Sequence, residues 1–437
     1  MKFKSSIALI IFTIFMGVQT KVVAQKVKTE RTIVKSVDKH TDASLELLKK
    51  VVNINSGTMN FDGVRQVGAI FKEELDNLGF STTMTSGEAY GRAGHLMATM
   101  EGGKGPKFLL IGHLDTVFEL DSPFQEYKML NDSIMNGPGV ADMKGGDVII
   151  ILAMKALKDA GVLDKMNIKI IMTGDEEKSG DPIELSKKDL IDGAKWADIA
   201  LGFENADGRP ETIVTSRRGS SDWELKVKGN PAHSSQIFTR EIGVGAIYEV
   251  SRILNAFYNQ LSKEENLTFN PGFIIGGTSL TPNEALTGGE AFGKSNVVAE
   301  HVIVRGDLRA VSPDQLQKAR DIMSQIVSDN YPGTSAEIIF GSDGYPPLAN
   351  TQGNTALLEK YSKVSQDLGF GKVMAVNPRN AGAADISFTS GHVDMAIDGL
   401  GMTGGKDDHT VNETGNLNNV SVQAKRTAVL MYRLLTE

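Results

Sequence analysis

The sequence predicts an α/β protein in two parts: a mixed-sheet domain of alternating strands and helices, interrupted by an inserted α+β domain. Three observations predict it. Apolar runs stop abruptly at glycine or at polar residues around positions 108–111, 167–172 and 393–400, as strands buried on both faces of a parallel sheet do. Helix-length stretches at 64–78 and 147–160 lie before and after the first of these runs, so strands and helices alternate. After Glu204 the pattern changes to strands at 212–214, 221–227 and 297–308 with helices at 243–261 and 313–329, before the first pattern resumes.

The elements follow in order. Lys2 and Lys4 precede an apolar segment at 7–18, and Val22-Val23-Ala24 offers a small residue before Gln25. That is the form of an export signal spanning 1–24, and its 12 apolar residues are too few to span a bilayer. The expectation is an exported chain, periplasmic or secreted, with no membrane anchor after processing. A helix is expected at 38–53 from Leu45, Leu47, Leu48, Val51 and Val52, and a second at 64–78, closed by Gly79. The glycine-rich stretch 272–293 carries apolar residues throughout and reads as an ordered loop. Helices at 355–368 and 420–435 complete the first domain, which is expected at 25–219 and 334–437, with 220–333 inserted.

Composition narrows the chemistry. A chain of 437 residues can bury two substantial cores. Its net charge of -8 argues against a nucleic-acid-binding surface. With 0 cysteines there is neither a disulfide framework nor a thiolate metal site, so any metal must be held by His, Asp and Glu. Such donors suit Zn²⁺, with Co²⁺ or Mn²⁺ as substitutes.

Five segments carry candidate chemistry. The run Leu109-Leu110-Ile111-Gly112 ends in His113-Leu114-Asp115. Period-2 geometry would put imidazole and carboxylate on one side at the strand's C-terminal end, where open α/β sheets bind ligands. One can then hold a metal while the other orients it. Asp142 sits in the glycine-rich loop Gly137-Pro138-Gly139-Val140-Ala141-Asp142-Met143-Lys144-Gly145-Gly146, directly before a helix. Its carboxylate has two oxygens and can bridge two ions. Asp175-Glu176-Glu177 follows an apolar strand, and adjacent acids are costly to desolvate together without a cation. Glu204 closes another short apolar run, and His409 follows Asp407-Asp408 near the C-terminus. The other histidines, His40, His95, His301 and His392, match no such pattern and read as structural or surface residues; Arg217-Arg218 read either as positive potential near the cleft or as a solvated basic pair at the domain junction.

This ordered set of motifs resembles the M20 metallopeptidases over nearly the whole mature chain, about 45–435. The resemblance implies a zinc-exopeptidase fold, an inserted lid and dimerisation domain, and two zinc ions per chain. By motif, His113 and Glu204 would bind one zinc, Glu177 and His409 the other, with Asp142 bridging. Glu176 would be the general base, and Asp115 would orient His113. In the inserted domain, Gly229-Asn230-Pro231-Ala232-His233-Ser234-Ser235 matches a segment whose histidine reaches across a homodimer to stabilise the oxyanion. Asn296 and Arg309 match residues that grip a substrate carboxylate. The implied activity is hydrolysis of an amide bond that releases a C-terminal amino acid such as glutamate. An N-acyl amino acid deacylase or a dipeptidase would use the same groups, so small peptides and N-acyl amino acids are both expected substrates.

Overall fold

In the computed structural model, residues 4–437 are described except 285, 343 and 406, with side chains from Gln25 onward. The expected export segment thus lies outside the described side chains. Among the described residues no helix is long and apolar enough to cross a membrane.

The strand Lys107–His113 shows why the main sheet forms. Phe108 and Leu110 enter one core while Leu109 and Ile111 enter another on the opposite face. A strand buried on both faces needs this unbroken apolar run. Its neighbours are Asn167–Thr173 and Ile199–Gly202, both parallel to it. The six-stranded sheet is completed by Met395–Ile397, parallel at one edge, and by Leu96–Glu101 and Ser81–Met84, antiparallel at the other. One face is covered by the helices Lys4–Val52, Phe61–Leu78, Lys144–Asp159 and Leu417–Leu435. The other is covered by Lys188–Trp196. Asn60 accepts a hydrogen bond from Gly63 N to start the second helix, and Gly79, at φ 95, ends it. The first helix begins far ahead of the expected 38, and its buried residues extend back to Ile33 and Val37.

A second sheet is antiparallel, in the order Thr268–Gly277, His301–Arg309, Ser221–Gly229, Thr334–Phe340. Alternate residues of Ser221–Gly229 are buried, so only one face carries a core. Helices Ala246–Leu261 and Pro313–Ser328 cover that face around Trp223, Leu225, Phe257, Val304 and Met323. Two expectations change here. The strand Thr334–Phe340 pairs with Ser221–Gly229, so the second sheet continues past the expected boundary at 333. The stretch 272–293 is not a loop: part of it extends the edge strand Thr268–Gly277, and the rest folds into a hairpin of Ser279–Pro282 with Gly289–Phe292. Pro271 and a register shift between Pro271 and Phe273 conceal the strand's alternation.

Candidate metal centre

The expected site residues of the main sheet arrive at its C-terminal edge from five separate segments. His113 is the last residue of its strand. Its Nδ1 lies 3.0 Å from the main-chain carbonyl oxygen of Asp115, which can only accept, so the proton sits on Nδ1. Nε2 therefore faces inward, 3.0 Å from Asp142 Oδ1 and 3.4 Å from Glu204 Oε1. On the other side of Asp142, His409 Nε2 lies 3.0 Å from Oδ2 and 3.2 Å from Glu177 Oε2. The two oxygens of one carboxylate thus address two different histidine–glutamate pairs.

The Asp115 carboxylate is placed differently from the simple expectation. Its nearest oxygen is 3.5 Å from His113 Nδ1, beyond the main-chain carbonyl. It accepts instead from Thr58 Oγ1 at 2.7 Å and from the backbone N–H groups of Glu176 and Glu177 at 3.0 and 3.1 Å. Asp115 therefore fixes the acidic loop, and its own main chain orients His113.

Electrostatics describe a site built around positive charge. Burial pushes the carboxyls of Glu177 and Glu204 up to about 7, reinforced by the charge of Asp142. Burial also carries Glu176 well above the usual carboxylate range. Asp142 is held well below its ordinary value: burial opposes this, but hydrogen bonds from His113 and His409 outweigh it. His409 is raised to about 11 by its bonds to Asp142 and then Glu177. Burial disfavours charge on His113, yet Asp115, Asp142 and Glu204 carry it well above 6.5. Among the described residues Glu177 Oε1, which is buried, has no hydrogen-bond partner. Donor atoms of His113, Asp142 and Glu177 lie within 4.8 Å of one another, as do those of His113, Glu176 and Glu204. Two imidazoles and several carboxylates are donors that suit divalent cations, so the residues fit a metal.

Further residues that sequence reasoning did not single out hold the ligands. Glu413 is fully buried, and its carboxylate accepts from Gly139, Ala141 and Asp142 N–H at 3.1, 2.9 and 3.1 Å. Asp398 accepts from Glu204 N at 3.2 Å through Oδ1 and from Arg217 Nε at 2.8 Å through Oδ2. Arg217 is thus a buried partner of this acid, whereas Arg218 bonds Thr268 Oγ1 and the carbonyl of Arg379. His95 is structural, its Nε2 2.8 Å from the Ser186 carbonyl oxygen. The three expected substrate contacts stand apart. His233 and Asn296 are exposed, with His233 Nδ1 2.9 Å from Ser235 Oγ. Arg309 Nε donates to Asp307 at 2.7 Å. Among the described residues no hydrogen bond or ion pair joins these three to the metal cluster.

The sequence profile of peptidase family M20/M25/M40 matches residues 109–433, which include every one of the cluster's ligands. The chain belongs to this family. Among curated proteins, carboxypeptidase G2 of Pseudomonas sp. (strain RS-16) is 26% identical over 407 residues, covering 92% of this chain and 90% of that protein. Of solved structures, aminopeptidase PepT of Bacillus cereus ATCC 10987 superposes with a TM-score of 0.68 at 18% identity, covering 90% of this chain and 98% of that one. The M20 metallo-carboxypeptidase Sso-CP2 of Sulfolobus solfataricus gives 0.64 at 17%, covering 90% and 99%. The structural likenesses establish the two-domain M20 fold. As an M20 peptidase the chain is a hydrolase of a metal-dependent family, and its His and acidic groups are placed to bind metal.

Proposed function

We propose that this M20 peptidase is a two-zinc exopeptidase of the carboxypeptidase type, releasing a C-terminal amino acid such as glutamate from a small peptide. The observation that carries this reading is Asp142, whose two oxygens face His113 and His409 at 3.0 Å each. A near full-length likeness to a carboxypeptidase supports the substrate class. His113 and Glu204 would hold one cation, and Glu177 and His409 the other, with Asp142 between them. When bound, such cations withdraw electron density from a scissile carbonyl and make water acidic enough to attack near neutral pH. Glu176 takes the proton from the attacking water and returns it to the leaving amine. Its raised pKa suits both directions of transfer. Asp115 holds Glu176 in place through its backbone N–H.

His233, Asn296 and Arg309 belong to the inserted unit, and we assign them to the substrate: Asn296 and Arg309 to its carboxylate, and His233 to the oxyanion of a homodimer partner's site. The N-terminal segment supports an exported, periplasmic protein. A single assay tests the reading. The zinc-loaded protein is offered peptides with different C-terminal residues and, in parallel, N-acetyl amino acids, and the released amino acids are quantified. Release of C-terminal glutamate supports a carboxypeptidase. Turnover of N-acetyl amino acids alone makes it a deacylase, and turnover of dipeptides alone a dipeptidase.

A further inference from the structure

Two connecting segments run between the main sheet and the second, and each sends a side chain back toward the catalytic acids. They meet at two isolated bridges: Arg217 and Leu348 exchange backbone hydrogen bonds of 3.0 Å, and Ser220 N donates to the Tyr345 carbonyl at 3.0 Å. Gly219 lets them come this close, since a Cβ there would stand 2.7 Å from the Tyr345 carbonyl oxygen. On the outgoing segment, Arg217 reaches Glu204 through Asp398. On the returning segment, Tyr345 reaches the base loop directly. Its hydroxyl lies 2.9 Å from the main-chain carbonyl oxygen of Glu176, 3.0 Å from Ser179 Oγ and 3.3 Å from Asp385 Oδ1. A hydroxyl has one proton to give, and the carbonyl of Glu176 is the nearer obligate acceptor, so Ser179 donates to the tyrosine oxygen.

The ring itself is fixed. Phe388 packs against it edge-on at 5.0 Å between centroids, and the buried Lys187 ammonium stands 5.5 Å from its centre. That ammonium is anchored 3.0 Å from both Asp175 Oδ1 and Asp385 Oδ1. Glu176 is therefore pinned on both sides: its N–H by Asp115, just past a main-sheet strand, and its carbonyl by Tyr345 of the returning segment.

We propose that Tyr345 is a positioning residue, through which the paired connection to the second sheet sets the backbone, and hence the carboxylate, of Glu176. The proposal rests on the reading of Glu176 as the proton-transfer group. A general base must meet its proton within hydrogen-bond reach, and a shift of about 1 Å can cost as much as about 10²-fold in rate. Tyr345→Phe removes one oxygen and keeps the packed ring. In the full-length, zinc-loaded protein, kcat should fall about tenfold, part of that range, while KM, metal content and melting temperature stay as in the wild type. Glu176→Gln is measured beside it. Wild-type kcat in Tyr345→Phe, with Glu176→Gln inactive, overturns the proposal and leaves the base assignment standing. An active Glu176→Gln overturns the base assignment itself. Loss of metal or a collapse in melting temperature in Tyr345→Phe also overturns the proposal, because the residue then serves only to hold the fold.

Discussion

Glu413→Gln tests how Asp142, the proposed bridging ligand, is held. The wild-type carboxylate collects three backbone N–H groups of the loop that carries Asp142. Glutamine keeps one carbonyl oxygen, able to serve Ala141 and Asp142, but turns an amide N–H toward the N–H of Gly139. Two bonds fall from charge-assisted to neutral, about 0.5–2 kcal/mol each, and one buried donor is orphaned at about 1–3 kcal/mol. The sum, about 2–7 kcal/mol, is not felt equally in both states. Without metal, burial and the negative charge of Asp142 push Glu413 up to about 8, so near pH 7 it is mostly protonated and resembles the amide. Cations that neutralise Asp142 restore the carboxylate, and only then is the full contribution present. The loss should therefore appear as weaker metal binding, by about 30-fold at the lower end of that sum, which falls in the range of about 10- to 100-fold for other groups that orient ligands. The metal-free melting temperature should move by only about 3 °C. Zinc titration against a competing chelator, with melting curves of both metal-free proteins, measures the two quantities. Unchanged zinc affinity in a folded Glu413→Gln protein would refute the reasoning.

Other expectations follow from the same geometry. Glu176→Gln should lose at least about 10²-fold in kcat with both metals retained; if Glu177→Gln is the inactive, metal-replete variant instead, the two roles are exchanged. His113→Ala and His409→Ala should each lower metal occupancy, read by elemental analysis, and retention of two ions by either would remove it from the ligand set. Metal binding must expel the protons held by Glu177 and Glu204 below about 7 and by His409 below about 11. Affinity should therefore rise with pH from about 6 to about 8, with proton uptake by buffer measurable calorimetrically; a flat profile contradicts the raised values. If His233 acts in a partner's site, a verified heterodimer of Glu176→Gln and His233→Ala chains should regain activity, at no more than half its sites, whereas an inactive heterodimer would place His233 outside that role.

The strands that lead to the candidate ligands were legible because burial on both faces leaves no alternative to a continuous apolar run, and such a run ending at His113 or just before Glu204 marks a sheet edge. The place of Asp142 between His113 and His409 agrees with the reading of its carboxylate as one with two oxygens to offer. The edge strand and hairpin within 272–293 were hidden, since glycine, proline and a register shift erase alternation. Glu413 and Tyr345 left no local signal at all. Their partners lie more than a hundred residues away in sequence, and a hydrogen bond to a distant main chain imposes no periodicity. Arg217 illustrates the same limit: as a basic pair with Arg218 it resembles a solvated surface, and only the folded chain reveals Asp398 beside it.

The insertion also fixes an order of events in the birth of the molecule. The helix Lys4–Val52 packs against Lys144–Asp159 and Leu417–Leu435, so the larger core needs both ends of the chain. The smaller core draws only on residues between Trp223 and Phe340. Domains usually mature from the N-terminus as they are synthesised. Here the middle can close first, while Val148-Ile149-Ile150-Ile151-Leu152, all buried in the finished protein, still lack the part of their cover that the last helix supplies. A chain cut short before residue 417 would therefore lack part of that cover and the end of its main core.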